Sequence, residues 1–316
     1  MIKIYPAKEY RFIDDIWVIS CYFNPISYQT KPTNFEKFIE RIEKANLNYL
    51  IVECAFSKQD YSLPKSSKII RVRANDIMWQ KERLLNIALQ NLPDRCKKVA
   101  WVDCDVLFEN PDWARETVAQ LRHYKVIQPF KEAIRLPKNA LYYDGKGEKY
   151  YSFAYIIKNN PYIIEEGLFD LHGHTGFAWA SHKSILQRYG FFDTCIAGSG
   201  DHMMAHAFAG DWTTKCIERI FGKNGDFLTH YTDWSKKIYP QIKASINYID
   251  GTLLHLWHGD VRNRNYTIRE RALENFQFDP NQDIALNKMD CWAWNRKKHR
   301  MKTWAEDYFT LRREDG

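Results

Sequence analysis

Two aspartates separated by one residue, Asp103-Cys104-Asp105, stand between the apolar runs 99–102 and 106–108. Carboxylates between hydrophobic segments are costly to leave uncompensated, and a hard divalent cation is a common compensation. Asp103 and Asp105 can converge on one ion, or Asp105 can bind it directly while Asp103 meets a nucleotide ribose or a metal-bound water. Turns also favour Asp, so a solvated turn is the bland alternative. Further along, His255-Leu256-Trp257-His258 offers imidazoles. On a strand His255 and His258 would face opposite ways, whereas in a turn or on one helical face they would converge. Imidazole alone would point to zinc; mixed with carboxylates and a diphosphate it suits Mn²⁺, with Mg²⁺ as the alternative.

The second chemical feature is Gly198-Ser199-Gly200-Asp201-His202. Two glycines let the backbone bring Asp201 close to a ligand, which makes it the candidate general base or acceptor anchor, with His202 next in line. A plain helix N-cap would use the same residues. Lys81 shares a helical face with Leu84, Leu85 and Ala88, so it can reach a phosphate near Asp105 or snorkel to water, while Arg83 lies off that face. Asn24 closes the first apolar run and either meets a nucleotide or makes an ordinary Asn-Pro turn. Arg262, Arg264, Arg269 and Arg271, and then the run 296–300, read as solvated helix faces or as a basic, Trp-containing surface for a phosphorylated acceptor.

The elements that must position these residues are legible mainly in the first third of the chain. Residues 16–23 form an apolar run closed by Asn24-Pro25, residues 35–46 carry apolar positions at helical spacing, and 49–56 is again strand-like. A short strand at 68–72, an amphipathic helix over 77–92 stopped by Pro93, and a strand at 99–103 follow. Alternating strands and helices predict an α/β fold with a mostly parallel central sheet flanked by helices, and in such sheets ligands bind beyond the carboxyl ends of strands. Asp103 and Asp105 fall at such an end. The expected division is a catalytic domain over 1–260 and a charged, helical C-terminal extension over 261–316.

These motifs resemble glycosyltransferases of the GT-A fold, whose signature is an Asp-x-Asp at a strand end. The helix 79–88 followed by Val102-Asp103-Cys104-Asp105-Val106 is similar to the helix and metal motif of the β-1,4-galactosyltransferases. The run 175–191 and Gly198-Ser199-Gly200-Asp201-His202 fall at spacings similar to that family's donor-sugar and acceptor segments. The resemblance implies donor contacts at Gly176, Asp103, Lys81 and Asn24, a metal held by Asp103, Asp105 and His258, and a nucleoside diphosphate sugar, UDP-linked, as donor. His258 is preferred to His255 because Gly259 allows close backbone approach. The chain departs from that family where His202 and two methionines follow Asp201. A second echo, of retaining glycogenin-like enzymes, lies in Asn91-Leu92-Pro93, Gly200-Asp201 and Leu256-Trp257-His258-Gly259. Inversion is slightly preferred over retention.

Composition bounds these readings without choosing among acceptors. The 316 residues are 45% hydrophobic and 15% aromatic, with eleven Trp, so the chain is far from a disordered composition. A net charge of +7 suits a phosphate-bearing partner: the donor, and as acceptor a glycan or hydroxymethylated bases in DNA. Seven cysteines without a Cys-x-x-Cys pair read as reduced packing residues. No basic flank precedes an apolar leader and no window reaches the roughly 18 apolar residues of a membrane helix, so a cytoplasmic enzyme is expected. Oligomeric state is not written in the sequence. A nucleotide-sugar hydrolase, a nucleotidyltransferase and a non-catalytic glycan- or nucleic-acid-binding module remain as competitors.

Overall fold

A computed structural model of the chain describes residues 13–296 and 298–316. The strands are β1 (Ile13–Phe23), β2 (Leu47–Phe56), β3 (Ile69–Ala74), β4 (Lys98–Val102), β5 (Val106–Phe108), β6 (Val126–Gln128) and β7 (Glu132–Arg135) in the first part of the chain. They continue with β8 (Glu148–Tyr151), β9 (Ala178–His182), β10 (Ile246–Tyr248), β11 (Thr252–His255), β12 (Ile284–Leu286) and β13 (Trp292–Trp294). Seven of them form the central sheet in the order β10-β6-β9-β4-β1-β2-β3, in which only β9 runs against its neighbours. This is the mixed α/β architecture with a mostly parallel sheet that the alternating pattern predicts.

Both faces of that sheet are buried, which is why β1 and β4 read as continuous apolar runs rather than alternating ones. Ile16, Val18, Tyr22, Ala100 and Val102 point into one core; Ile19, Cys21, Phe23, Val99 and Trp101 point into the other. Trp101 stacks on Trp179 of β9 at 6.5 Å between ring centroids. The helix Thr30–Lys44 starts ahead of the apolar pattern at 35–46, with Pro32 in its first turn, where a missing backbone donor costs nothing. The helix Lys81–Gln90 is shorter than the expected 77–92 and is buried all round.

A second sheet, ordered β5-β11-β7-β8, lies beside the first, and the chain crosses from one to the other between β4 and β5. The three crossing residues are Asp103, Cys104 and Asp105. The segment 261–316 is not wholly helical: besides the helices Tyr266–Asn275 and His299–Leu311 it carries the β12-β13 hairpin. Its Met301, Tyr308 and Phe309 join the same core cluster as Phe23 and Trp101. None of the seven cysteines is in a disulfide, and all but the half-buried Cys104 are buried. Among the described residues no helix is long and apolar enough to cross a membrane.

Candidate active site

The β5-β11 ladder builds the first half of the site. His255 pairs with Val106, and Leu256 N–H donates to the Asp105 carbonyl at 2.8 Å, so strand register alone sets Asp105 beside His255. The strand ends at His255, which frees His258 to turn back: the two Nε2 atoms lie 3.1 Å apart. Asp105 Oδ2 is 3.1 Å from His258 Nε2 and Oδ1 is 4.0 Å from His255 Nε2. Asp105 Oδ1 is buried with no hydrogen-bond partner.

Three potential ligand atoms thus converge within 4.8 Å of one another. One carboxylate and two imidazoles fit a divalent cation such as Mn²⁺. Burial raises the Asp105 carboxyl, but His258, His255 and Lys31 outweigh it and hold the group well below the usual range. Burial also keeps His255 far below the ordinary imidazole value, and hence neutral, as a ligand must be. Behind the site, His258 Nδ1 lies 3.2 Å from Glu314 Oε1, close enough for charge to couple though not in hydrogen-bond geometry. Burial opposes ionisation of Glu314, yet Arg312 and Lys31 pull it well below the carboxylate norm. Arg264 also reaches His258 Nε2, at 3.0 Å, so that guanidinium has to withdraw when a cation binds.

Across the cleft, Lys81 Nζ bridges Asp103 Oδ1 and Asp201 Oδ2, at 2.5 Å each. Three elements meet here: the start of the Lys81–Gln90 helix, the end of β4 and the first turn of the Gly200–Ala209 helix. Asp103 N–H donates to Phe177 O at 2.7 Å, continuing the β4-β9 register. Burial raises the Asp103 carboxyl to about 7, Lys81 opposing and Asp201 and Asp105 adding. A side chain at Gly176 would stand 3.2 Å from Asp201 Oδ2, and one at Gly200 would meet the Glu82 carboxyl at 2.4 Å. Both glycines therefore serve close approach.

The third wall is cationic. Arg264, Arg269 and Arg312 are buried beside Arg135 and Lys31 around a cleft of about 500 Å³. Nε of Arg135 and of Arg264 are buried without a hydrogen-bond acceptor. Burial pushes the Tyr266 hydroxyl up, but Arg264, Arg135 and Arg269 bring it down to about 7. This is a place built for an anion.

Asp103, Asp105, His258, Lys81, Gly176, Asp201 and His202 all line this cleft. Lys81, expected to reach a phosphate, is engaged instead by two carboxylates. His202 points its Nε2 into a buried group with His172 and His206, with no hydrogen-bond partner; burial, then His206 and His172, hold its basicity well below the usual value. The donor contact expected of Asn24 finds no support, because its side chain closes a turn: Oδ1 accepts from Tyr28 N–H and Nδ2 donates to Tyr28 O. Asp201 lies inside the first turn rather than at the N-cap, which is Ser199 in the left-handed region at φ 75°. Sequence reasoning left His255 open, placed Arg264 and Arg269 on a solvated face or a basic surface, and passed over Arg135, Arg312 and Glu314. Arg262, by contrast, is exposed as read.

No protein-family model matches the chain, and no curated protein matches it in sequence. Solved structures match it at low similarity. A mutant Drosophila β1,4-galactosyltransferase 7 in complex with manganese, UDP-Gal and xylobiose is 9% identical, covering 93% of this chain and 99% of that one, with a TM-score of 0.40. A glycosyltransferase involved in glycosylating the major capsid of PBCV-1 is 12% identical over 82% of this chain and 98% of its own, with a TM-score of 0.33. The 4-diphosphocytidyl-2C-methyl-D-erythritol synthase of Anaerococcus prevotii is also 12% identical, over 75% and 86%, with a TM-score of 0.33. At these values nothing is carried over from those proteins, and what the cleft does has to follow from its own side chains.

Proposed function

We propose that the protein is a metal-dependent glycosyltransferase that moves a sugar from a nucleoside diphosphate sugar to an acceptor hydroxyl with inversion. The observation that carries this reading is the pairing, in one cleft, of a buried carboxylate oxygen lacking a partner, Asp105 Oδ1, with buried guanidinium donors lacking acceptors on Arg135 and Arg264. Cation ligands and anion ligands side by side suit a diphosphate that travels with its metal.

Asp105, His255 and His258 would hold the ion, which when bound offsets the charge of the leaving diphosphate. Arg264, on leaving His258, has a phosphate oxygen as its natural new acceptor, with Arg269 and Arg135 close by. Asp103 is the ribose partner. Asp201 is the base: Lys81 engages its Oδ2 and so orients the carboxylate, leaving Oδ1 to take the acceptor proton. A UDP donor, a cytoplasmic setting, and a glycan or hydroxymethylated-DNA acceptor are the finer parts of the proposal.

The test is a thermal-shift screen of nucleotide sugars with Mn²⁺, followed by measurement of nucleoside diphosphate release with glycan and hydroxymethylated-DNA acceptors. A donor that stabilises the protein only with metal and is consumed only with acceptor supports transfer. Consumption of donor at the same rate without acceptor would point to hydrolysis, and release of pyrophosphate from a nucleoside triphosphate to nucleotidyl transfer. Tight donor binding without turnover on any acceptor would favour a binding module.

A further inference from the structure

A second group of metal-ligating side chains is built on the helix that carries Asp201, with His172 and His202 also bordering the cleft. His172, His202, His206 and Cys216 each offer one ligand atom, and these atoms lie within 4.8 Å of one another. All four residues are buried, between 0% and 7% exposed. Nε2 of His172, of His202 and of His206 is buried with no hydrogen-bond partner. Three buried imidazole nitrogens without hydrogen-bond partners in one cluster are unfavourable unless something binds their lone pairs.

Two of the three rings have their other nitrogen committed. His172 Nδ1 lies 2.7 Å from the Gly173 carbonyl and His206 Nδ1 lies 3.1 Å from Asp211 Oδ2. Each arrangement places the ring proton on Nδ1 and turns the Nε2 lone pair inward, the outer-shell pattern of metal-bound histidines. The backbone supplies the convergence. His202 and His206 are four apart on one helix, His172 precedes the left-handed Gly173, and Cys216 opens the Lys215–Phe221 helix. The Cys216 thiol donates to Gly167 O at 3.5 Å.

We propose that these four residues form a structural zinc site, with Zn²⁺ bound by three neutral imidazole Nε2 atoms and the Cys216 thiolate. Binding releases the thiol proton and breaks its bond to Gly167 O. Nitrogen and sulfur ligands without oxygen select zinc over the Mn²⁺ suited to the cleft, and four protein ligands leave no open position for substrate. A tetrahedral site has ligand atoms about 3.3–3.7 Å apart, so the side chains draw together by roughly 1 Å when the ion binds. The ion would tie the 167–173 loop and the Lys215–Phe221 helix to the helix whose first turn carries Asp201. The site stands whether or not the cleft transfers sugar.

The test removes the cleft ligands first, in an Asp105→Ala/His255→Ala variant, so that any tightly held metal belongs to the second group. After expression with zinc and dialysis against a weak chelator, mass spectrometry is expected to find about one zinc per chain, falling at least about tenfold on adding Cys216→Ser or His206→Ala. Less than about a tenth of a zinc per chain in the starting variant, or full zinc retained after both additions, overturns the proposal. Where these variants do not fold, chelator-stripped wild-type protein is titrated with Co²⁺. A thiolate-to-cobalt charge-transfer band and tetrahedral d-d bands saturating at one equivalent support the site, and their absence overturns it.

Discussion

Lys81→Met deletes an ammonium and keeps an unbranched stem. In the protein that ammonium touches Asp103 and Asp201 at 2.5 Å each, and the three side chains are 10%, 26% and 18% exposed. With charge centres about 4 Å apart and an effective dielectric near 20, each attraction is about 4 kcal/mol before desolvation. Desolvation of three groups cancels much of that, and losing one partner of a buried pair costs roughly 3–5 kcal/mol. Because all three groups keep some solvent, the low end, about 3 kcal/mol, is expected. The loss comes from two carboxylates left facing each other. Asp201→Asn added to Lys81→Met is therefore expected to recover about half of it, although Asp201→Asn alone destabilises the protein. Urea unfolding at pH 8, followed by circular dichroism and tryptophan fluorescence with coincident transitions, measures both changes. A loss below about 1 kcal/mol, or strictly additive effects in the double variant, would refute the account of Lys81 as the charge that holds these carboxylates together.

Three further outcomes follow from the same geometry. Burial, then Asp201, raise the Glu82 carboxyl from 4.5 to about 8, so its contribution is full below pH 4.5 and is lost as pH rises through 8. Glu82→Gln is expected to flatten a decline of at most about 1.4 kcal/mol per pH unit across that window, and an unchanged pH-stability profile would count against it. Asp105→Asn is expected to abolish stabilisation by Mn²⁺, which in the wild type reaches about 2.7 kcal/mol at 100 times the dissociation constant; an undiminished thermal shift would remove Asp105 from the ligand set. Gly176→Ala places a methyl 3.2 Å from Asp201 Oδ2 and His174 Cε1. It is expected to cost about 1 kcal/mol in stability and to lower turnover with little change in donor binding, which paired kinetics and calorimetry would check.

The β-α-β opening was legible because its elements are long enough to show a period: β1, the Thr30–Lys44 helix and β2 each span ten or more residues. The small sheet was not, since β5, β7 and β11 have three or four residues each, too few to display alternation. That gap explains the uncertainty over His255 and His258, whose convergence depends on where β11 stops. Asp105 could be placed from its neighbours in sequence, whereas the arginines could not. Arg269, donating to Tyr308 and Ser199 in the interior, has the same local sequence as an arginine on a solvated helix. The histidine-cysteine group joins positions 172 and 216 across a strand and two helices, a separation that no local pattern in the sequence spans.

The crossing at 103–105 also has a mechanical meaning. Asp103 is fixed to the large sheet through Phe177, and Asp105 to the small sheet through Leu256. One residue separates them, so any tilt of one sheet against the other changes the distance between the two carboxylates directly. An ion held by Asp105, His255 and His258 grips β5 and β11 at one end and makes the small sheet stiffer without touching the large one. Amide exchange should register this as a local slowing at Leu254 and Leu256 when metal is added, with β1 and β2 keeping their own pace.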